Sequence, residues 1–573
     1  MTSPSQDITT PRTSRFFSRP DIQSPILDVK IHDHMRTSNG YIFIAPFHAT
    51  QSGPYIYDNN GSLVWSGFGV AGPENAYNFH VCSYRGADHL CFHSGTHFRT
   101  YSKGHGVVMD NQYRLLTTVN AASVGLPSDM HDFRLNDRGE TALMTIYQPR
   151  QLDLSKFGAT LGLGWILDSG FQEVNITSNE LLFEWRSLDH ITPESSYQPL
   201  NISEEGHAPE AAWDYFHINS VDKNRDGDYL ISGRHTNCIY KISGQSGSVL
   251  WELQGKNSTF ELSGFNFSWQ HDGRWLFEND TTSVISLFDN ARQSNQKVDS
   301  LYSSGKIITL DHVTNLARLD KEIRSPTTST GSLSTESQGN MQILPNSNLF
   351  FGWGAEAHIS EHLSNGTPIW HAVFGQAHNP NTYRAFKAPW QGNPGLTTPA
   401  LWAYGRTNSS RTAVYVSWNG ATEVEAWNVY ASESSRSSLE LVAIRAPKVG
   451  FETTIILDRH YPWVAAEAVG KDGTVIRNSS LQKTFIPGDQ ILPFCDEMHC
   501  SGPPTSEFKK EAPNSLSLLL TVGVWSVLGL IAIALVVLSR HFWTKLVFRG
   551  AKDYMKVADN QDSFALQDVS RER

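Results

Sequence analysis

The chain has 573 residues, which predicts two or three domains rather than one. Its formal net charge is −11, and this argues against a nucleic-acid partner because phosphate binding requires a basic face. The sequence contains neither a nucleotide phosphate loop nor a dinucleotide-binding glycine motif, so no cofactor is expected.

Residues 1–25 form a polar N-terminal segment without an apolar core, so they do not resemble a signal peptide. Two explanations stay open for a chain that enters a membrane system. Either a signal lies upstream of this start, or a hydrophobic segment further along directs insertion.

Residues 26–394 show short β-rich runs separated by Asn-Gly, Asp-Gly and Asn-Ser turns, and a Trp or Phe often ends the run, as in "YIYDNNGSLVWSG" at residues 55–67. Hairpin following hairpin over this length predicts an all-β fold, a β-propeller of six blades. A large sandwich or barrel is the structural alternative.

Residues 395–487 have longer strand patterns that carry a core Trp and Tyr, which predicts a small β-sandwich of the fibronectin-III or immunoglobulin type. A Pro-rich stalk follows over residues 488–514. The chain then continues into a transmembrane helix over 515–539 and a polar tail over 540–573.

The transmembrane prediction rests on the uncharged run from Leu516 to Leu538, which as a helix reaches roughly 35 Å and can cross a bilayer. Five basic residues follow it, and only Lys509 and Lys510 closely precede it. The positive-inside rule therefore predicts a single-pass membrane protein with a cytoplasmic C-terminus and a lumenal or extracellular body.

Glycosylation sequons and cysteines also favour a secretory body. The sequons ahead of the membrane segment are at Asn60, Asn175, Asn201, Asn257, Asn266, Asn279, Asn365, Asn408 and Asn478. In "CSYRGADHLC" a two-residue Gly86-Ala87 turn of type II′ would place Cys82 directly opposite Cys91, close enough for a disulfide. Cys495 and Cys500 are a second candidate pair, and Cys238 is expected to be a buried free thiol.

Polar residues recur where predicted innermost strands begin. The segments concerned are "HDFRLNDRGETALMT" from His131, "HINSVDKNRDGDYLIS" from His217, "QHDGRWLFEN" from Gln270 and "GNMQILPNSNLFF" from Gly339. In a propeller such strands all start on one face beside the axis. We therefore expect one funnel to collect His131, His217, Asn219, His271 and Asn340, together with Arg234 from the strand paired with the one that His217 opens.

Metal binding is the alternative for these residues. "DKNRDGD" at 222–228 resembles the start of a calcium loop, but the twelfth position is Gly233 where a Glu is required. Three histidines could bind zinc, yet no Cys or carboxylate accompanies them at ligand spacing, and an Arg is a poor neighbour for a cation. An Arg beside histidines suits a tetrahedral oxyanion, so no metal is predicted.

The sequence resembles the PAPS-independent arylsulfotransferase (ASST) family, its fungal branch in particular. The matching stretches are "SRPDI" at residue 18, "HDFRLNDRGETALM", "HINSVDKNRDGDYLISGRHTNCIYKI", "FSWQHDGRW", "ISLFDNA" and "GNMQILPNSNLFFGWG". The resemblance implies a six-bladed propeller with an active site in its central channel. It also implies small substrates, an aryl sulfate donor and a phenolic acceptor.

The resemblance further implies roles for individual residues. His217 and Asn219 are similar to a His-x-Asn pair that grips the sulfuryl oxygens, and Arg234 to an Arg that forks onto the same group. His131 is similar to a further pocket histidine, and His271 to the one that is transiently sulfated. His235 is expected to point to the other side of its strand and to be structural.

Three functional hypotheses stay open at this point. The first is a membrane-anchored aryl sulfotransferase. The second is a non-enzymatic receptor or adhesion protein, since propeller, sandwich, stalk and single span is also the plan of such proteins. The third keeps the pocket but changes the chemistry, to sulfate-ester hydrolysis or another reaction on phenolic secondary metabolites.

Overall fold

The computed structural model describes residues 12–70, 75–122, 125–136, 139–159, 162–293, 300–328, 331–376 and 379–501. Within these ranges the chain forms 34 strands and six 3-10 helices of three residues each. The predicted all-β class is confirmed. None of the described helices is long or apolar enough to cross a membrane. The predicted span at 515–539, the tail and the stalk beyond residue 501 lie outside the described residues.

The strands are numbered in chain order. The first twelve are β1 (Asp28–His32), β2 (Tyr41–Phe47), β3 (Tyr55–Tyr57), β4 (Leu63–Ser66), β5 (Asn75–Tyr84), β6 (Ala87–Phe98), β7 (Tyr101–Met109), β8 (Leu115–Val119), β9 (Ser128–Asn136), β10 (Thr141–Asp153), β11 (Leu163–Asn175) and β12 (Leu181–Arg186). The next fourteen are β13 (Ile218–Lys223), β14 (Tyr229–Gly233), β15 (Cys238–Ile242), β16 (Val249–Gln254), β17 (Glu261–Ser263), β18 (His271–Glu278), β19 (Thr282–Asp289), β20 (Ser304–Asp311), β21 (Leu316–Arg324), β22 (Asn340–Ile343), β23 (Leu349–Gly352), β24 (His358–His362), β25 (Pro368–Val373) and β26 (Asn381–Ala388). The last eight are β27 (Ala400–Tyr404), β28 (Ala413–Ser417), β29 (Val424–Ser432), β30 (Glu440–Pro447), β31 (Glu452–Ile456), β32 (Trp463–Gly470), β33 (Val475–Asn478) and β34 (Gln482–Lys483). The 3-10 helices are Ser155–Phe157, Ser187–Asp189, Pro193–Ser195, Pro209–Ala211, Gly354–Glu356 and Leu492–Phe494.

Strands β1 to β26 make six successive antiparallel groups. Their orders are β26-β2-β3-β4, β5-β6-β7-β8, β9-β10-β11-β12, β13-β14-β15-β16, β18-β19-β20-β21 with β17 at its edge, and β22-β23-β24-β25 with β1 at its edge. The second and third groups are joined into one eight-stranded sheet through β7 and β9. The first group combines β26 with strands from the N-terminal end of the chain.

The first strands of the six groups contact one another in a ring. Strand β5 contacts β9, then β9 contacts β13, β13 contacts β18, β18 contacts β22, β22 contacts β26, and β26 contacts β5. We call these six the inner strands. Residues at their starts are therefore neighbours in space although they are far apart in sequence.

Each sheet packs on the sheet before it and the sheet after it. One hydrophobic cluster combines Leu143 and Phe171 of the third group with Ile231 of the fourth. Another combines Leu230 of the fourth group with Ile285 of the fifth. Both faces of such a sheet are covered, which explains why β14 is buried at every position and lacks the alternation of a half-exposed strand.

Polar side chains of the inner strands bond the backbone of the next inner strand. The Asp132 carboxylate accepts the Val221 N–H at 3.0 Å, and the Asp272 carboxylate accepts the Met341 N–H at 3.3 Å. These backbone groups would otherwise lack a partner where two sheets meet without a shared ladder. The recurring polar residues of the sequence thus serve the ring itself as well as any site within it.

Strands β27 to β34 form two sheets that share one core, in the orders β27-β28-β31 and β30-β29-β32-β33 with β34 on β32. Val414 comes from the first sheet, and Trp427 and Val464 from the second. The side-chain amide of Asn419 bonds both the N–H and the C=O of Ser66 in β4, at 2.8 and 2.9 Å. The sandwich is thereby tied to the first group of the ring.

Both predicted disulfides are present, Cys82–Cys91 and Cys495–Cys500, and Cys238 is a buried free thiol as expected. The predicted hairpin register is wrong. The turn is Arg85-Gly86, with φ of 52° and 78°, so Cys82 pairs with His89 rather than with Cys91. Two consecutive positive φ values are the type I′ pattern, whose twist fits the flanking strands. The disulfide joins diagonal neighbours, with 5.8 Å between the Cα atoms.

Among the described residues, 488–495 and 500–501 belong to a second compact unit, separate from the unit that holds 12–487 and 496–499. It contains the helix Leu492–Phe494 and the Cys495–Cys500 disulfide. The Ser501 N–H donates to the Phe494 carbonyl at 2.8 Å.

Candidate functional site

His131 lies on inner strand β9 and is buried. Its Nδ1 is 2.6 Å from Asp129 Oδ1, and Asp129 also accepts the Ser102 N–H at 2.7 Å and the Thr145 hydroxyl at 3.0 Å. Burial alone would raise the pKa of Asp129, but His131 and these hydrogen bonds lower it to about 2. An ionised carboxylate therefore orients the ring and can stabilise a proton that the ring takes up.

His217 immediately precedes inner strand β13, and its φ of 56° is in the left-handed region that a non-glycine residue rarely adopts. Its Nδ1 is 2.5 Å from Asp214 Oδ2. Its ring centroid lies 4.7 Å from that of His131. Burial is the main cause that holds the pKa of His217 well below its usual range, and the positive charge of Arg234 adds to it, so the ring is neutral at pH 7.

Arg234 and His235 are adjacent in the turn between β14 and β15, and both face the cluster. The Arg234 Nη1 donates to His235 Nε2 at 2.8 Å, and the His235 ring stacks on His217 at 4.5 Å. The expectation that His235 points away from the site is wrong. It assumed the side-chain alternation of a strand, whereas residues 234–237 form a turn.

The Arg234 guanidinium is buried, and its Cζ lies 5.3 Å from the centroid of the Trp269 ring. Its Nη2 donates to the Glu336 carbonyl at 2.8 Å, while Nε has no hydrogen-bond partner within the described residues. Burial lowers its pKa to about 10, so the side chain stays charged at neutral pH. One charged N–H is therefore available to an anion.

His271 opens inner strand β18 and has its tautomer fixed. Its Nδ1 is 2.7 Å from Asn290 Oδ1, and the Asn290 amide group donates to the carbonyls of Thr335 and Gln338, at 3.3 and 3.0 Å. Those two bonds orient the amide, so its oxygen faces the ring and Nδ1 carries the proton. The Nε2 atom accepts the Gln338 N–H at 3.2 Å, a long bond.

Burial, and next the charge of Arg234, holds the pKa of His271 well below its usual range. The ring is therefore neutral at pH 7. A neutral imidazole with its proton on Nδ1 has a lone pair on Nε2, which is the state required of a nucleophile.

Tyr383 of inner strand β26 connects the two sides of the cluster. Its ring lies 5.5 Å from His131 and 6.1 Å from His271. Its hydroxyl is buried without a hydrogen-bond partner within the described residues. Burial raises the pKa of this phenol, so the hydroxyl stays protonated and can donate.

The two predicted asparagines are bound to neighbouring backbone. Asn219 Nδ2 donates to the Gln270 carbonyl at 2.7 Å. Asn340 exchanges two bonds with the backbone of Ala385, at 2.8 and 2.9 Å, and is fully buried. Their donors are thus engaged between inner strands, whereas His131, His217, Arg234 and His271 belong to one buried cluster that ring contacts join through His235 and Tyr383.

A metal site is the alternative chemistry for part of this cluster. Ligand atoms of Asp214, His217 and His235 all lie within 4.8 Å of one another, and all three residues are buried. However, Asp214 already bonds both rings, through its carboxylate to His217 and through its carbonyl to His235. The Arg234 guanidinium on His235 would repel a divalent cation, so the donor set fits an anion better.

Several members of the cluster were not predicted from the sequence: Asp129, Asp214, His235, Asn290 and Tyr383. The carboxylates stand two and three positions before their histidines, in "DMH" and "DYFH", and this spacing is the signal that could have found them. Asn290 directly follows β19, 19 residues after His271, and Tyr383 lies on β26, far away in sequence; neither has a local signal.

The chain matches the family described as Arylsulfotransferase (ASST) over residues 81–375. No curated protein matches it.

Among solved structures, a protein of unknown function from Bacteroides caccae is 14% identical, with 61% of this chain and 99% of that chain covered and a TM-score of 0.35. The hydrazine synthase of Kuenenia stuttgartiensis is 9% identical, with 64% and 96% covered and a TM-score of 0.32. The virginiamycin B lyase of Staphylococcus aureus is 10% identical, with 59% and 90% covered and a TM-score of 0.27. These likenesses are too weak to carry an argument about this chain.

Proposed function

Because the chain belongs to the arylsulfotransferase (ASST) family, we propose that it moves a sulfuryl group from an aryl sulfate ester to a phenolic acceptor by way of a sulfohistidine. The observation that carries the proposal is a buried cluster of imidazoles in which two donors, Arg234 Nε and the Tyr383 hydroxyl, lack an acceptor within the described residues. Unpaired buried donors are costly unless a ligand uses them, and a sulfuryl group has oxygens to accept them.

In the first step, Nε2 of His271 attacks the sulfur atom of the ester. The N–S bond forms, the bond between sulfur and the aryl oxygen breaks, and a phenolate leaves. The Gln338 N–H, which the lone pair of Nε2 no longer accepts, is then free to bond a sulfuryl oxygen. Arg234 would stabilise negative charge on the oxygens in the transition state.

In the second step, the oxygen of an acceptor phenol attacks the same sulfur atom and the N–S bond breaks. The phenol loses its proton to Nε2 of His131, whose Nδ1 is held by the ionised Asp129. His217 is paired in the same way with Asp214, and we propose that it contacts the sulfuryl oxygens. Asn219 and Asn340 are proposed to hold the inner strands in position for these groups.

The ring of six groups supports the interpretation of residues 26–394 as a six-bladed β-propeller with this site at one end of its axis. Membership of the fungal branch stays a prediction. So do the domain bounds and the choice of natural donor and acceptor.

The activity is tested with p-nitrophenyl sulfate, with and without a phenol acceptor. We expect p-nitrophenol release to depend on the acceptor and sulfated acceptor to appear in equal amount. Release that is independent of the acceptor would indicate a hydrolase, and no release with any aryl sulfate would favour the receptor hypothesis.

The nucleophile is tested by trapping the covalent intermediate with ³⁵S-labelled aryl sulfate in the absence of acceptor. We expect the label on the wild type and its loss in His271→Ala. The exposed His190 supplies the control, and His190→Ala is expected to keep the label. Label that survives in His271→Ala would move the nucleophile to another residue.

We also propose that the chain is a single-pass membrane glycoprotein with its body in the lumen or outside the cell. The two disulfides support an oxidising compartment. Eight of the nine sequon asparagines are exposed, and Asn175 is partly buried. Resistance to alkaline extraction and a mobility shift on endoglycosidase treatment are expected; extraction by carbonate without any shift would contradict both.

A further inference from the structure

A cavity lies toward the C-terminal ends of the inner strands. Its volume is about 290 Å³. All six inner strands line it, and the lining residues that carry the argument are Arg134, Arg274, Arg384, Leu276, Ile343 and Phe386. Inner strands β9, β13, β18 and β26 carry cluster residues at or near their starts and cavity-lining residues further along, so the cavity is distinct from the candidate active site.

Four charged residues line the end of this cavity nearest the histidine cluster. Asp132 bonds Arg274 at 2.8 Å and Arg384 at 3.0 Å, and Asp272 lies 2.8 Å from Arg274 and 3.5 Å from Arg384. All four side chains are at most 10% exposed. We call these two carboxylates and two guanidinium groups the charged square. Their charges cancel, and they form the floor of the cavity.

Arg134 stands above this floor without a comparable partner. Within the described residues its guanidinium makes no hydrogen bond, and its one ion pair is with Asp222 at 4.0 Å. Asp222 already accepts the backbone N–H groups of Trp275 and Lys223, at 3.0 and 3.2 Å. The Arg134 side chain is 39% exposed, so its donors are accessible from the cavity.

The positive charge of Arg274 has the largest effect on the pKa of Arg134 and lowers it, whereas the charges of Asp222, Asp132 and Asp272 act in the opposite direction. Two guanidinium groups therefore repel each other at this end of the channel. An anion between the cavity and Arg134 would relieve that repulsion and supply the missing acceptors.

The rim of the cavity is apolar. Leu276 and Ile343 are each 39% exposed, and the partly buried Phe386 lines the cavity beside them. Exposed apolar side chains around a charged floor suit a ligand that has an apolar body and one charged end.

We propose that this cavity binds a small aromatic carboxylate, with the carboxylate forked onto Arg134 and the ring against Leu276, Ile343 and Phe386. A planar carboxylate matches the geometry of a guanidinium, and Arg134 has room for such a partner because its ion pair with Asp222 is long, at 4.0 Å. The volume admits a single-ring compound. This site is additional to the proposed sulfotransfer and does not depend on it.

The test is calorimetric titration of the purified protein with benzoate, which carries no transferable group, and with benzyl alcohol as its neutral counterpart. We expect benzoate to bind with a dissociation constant of about 1 mM or below, and benzyl alcohol to bind at least about tenfold more weakly. Arg134→Gln is expected to lose at least about tenfold in benzoate affinity. Arg134→Lys is expected to have an intermediate affinity because it keeps the charge but cannot make two parallel hydrogen bonds to the carboxylate.

Two controls locate the site. Arg225→Gln removes an exposed charge from the β13–β14 turn and is expected to leave benzoate binding unchanged. Arg234→Gln alters the histidine cluster and is also expected to leave it unchanged. Thermal midpoints verify that each variant is folded. Absence of benzoate binding to the wild type, binding by Arg134→Gln equal to wild type, or loss in Arg234→Gln would overturn the proposal.

Discussion

The imidazoles of the cluster differ in what holds their Nδ1 atoms. His131 and His217 have a carboxylate there, whereas His271 has the amide oxygen of Asn290. Asp129 is ionised and can stabilise a cation beside it, whereas burial raises the pKa of Asp214 and lowers that of His217; the neutral amide oxygen of Asn290 orients His271 without stabilising its cation. The proposed division into base and nucleophile follows from this difference.

Tyr383→Phe separates a ligand role from a structural role. Its hydroxyl has no partner within the described residues, so its removal is not expected to lower the thermal midpoint. If the hydroxyl donates to the sulfuryl group, kcat falls by about 10²-fold or more, which steady-state kinetics will measure. Tyr147→Phe is the control for a structural hydroxyl, because it loses a 2.6 Å bond to the Ile218 carbonyl and should cost about 1 kcal/mol of stability. Unchanged kcat in Tyr383→Phe would contradict the ligand role.

Asp129→Asn tests the proposed role of His131 as the base. The substitution keeps the size of the side chain but removes the charge that stabilises protonated His131. We expect transfer to the phenol to slow by about 10²- to 10⁴-fold, with the covalent label still forming, as rapid-quench kinetics will measure. Formation of the label is the internal control, and equal loss of both steps would assign Asp129 to the structure of the site as a whole.

At the scale of elements, the strand that carries Asn290 toward His271 is anchored by a buried ion cluster. Lys306 of β20 lies 3.2 Å from Asp289 of β19 and 2.5 Å from Glu322 of β21. Burial raises the pKa of Asp289 from 3.8 to about 6. Its protonated form is favoured in the folded protein, so its contribution to stability is complete below about pH 4 and is lost as pH rises through 6.

Lys306→Met therefore has a pH-dependent effect. At pH 8 it leaves the deeply buried Asp289 without its cation, while Glu322 keeps Arg324 at 3.2 Å, and should cost about 3–5 kcal/mol. At pH 5 the cost is smaller because Asp289 takes up a proton. Thermal midpoints at the two pH values measure the difference, with Lys156→Met, whose side chain is 80% exposed, as the control. An equal shift at both pH values would contradict the assignment of the pKa to Asp289.

At the scale of the whole molecule, the charged square joins inner strands that are far apart in sequence. Three of its four members directly follow site residues: Asp132 follows His131, Asp272 follows His271 and Arg384 follows Tyr383. Adjacent residues thus contribute to the candidate site and to the charged square beside it.

Asp132→Asn tests whether the charged square stabilises the ring of inner strands. Arg274 and Arg384 each lose a buried partner, which should cost about 3–5 kcal/mol and lower the thermal midpoint. Burial alone would raise the pKa of Asp132, but the two guanidiniums lower it to about 2, so the wild type should lose this contribution as pH falls from about 4 to 2. Asp226→Asn in the exposed β13–β14 turn is the control. If Asp132→Asn has the same thermal midpoint as the wild type, the charged square does not stabilise the ring.

By itself, the sequence determined the all-β class, the two disulfides, the buried free thiol and the family, because turn residues, cysteine spacing and motifs are local signals. It also predicted that His131, His217 and His271, near the starts of inner strands, lie close to Arg234, and the structure brings these side chains together from β9, β13, β18 and the turn between β14 and β15. Only the tertiary structure decided that His235 joins the cluster, that Cys82 pairs in register with His89, and that Asn290 and Tyr383 complete the site. The first two facts depend on turn geometry. The last depends on contacts between strands: Asn290 follows β19 of the same sheet as His271, and Tyr383 comes from a different sheet. A pattern within one strand carries no information about the partner that the ring brings to it.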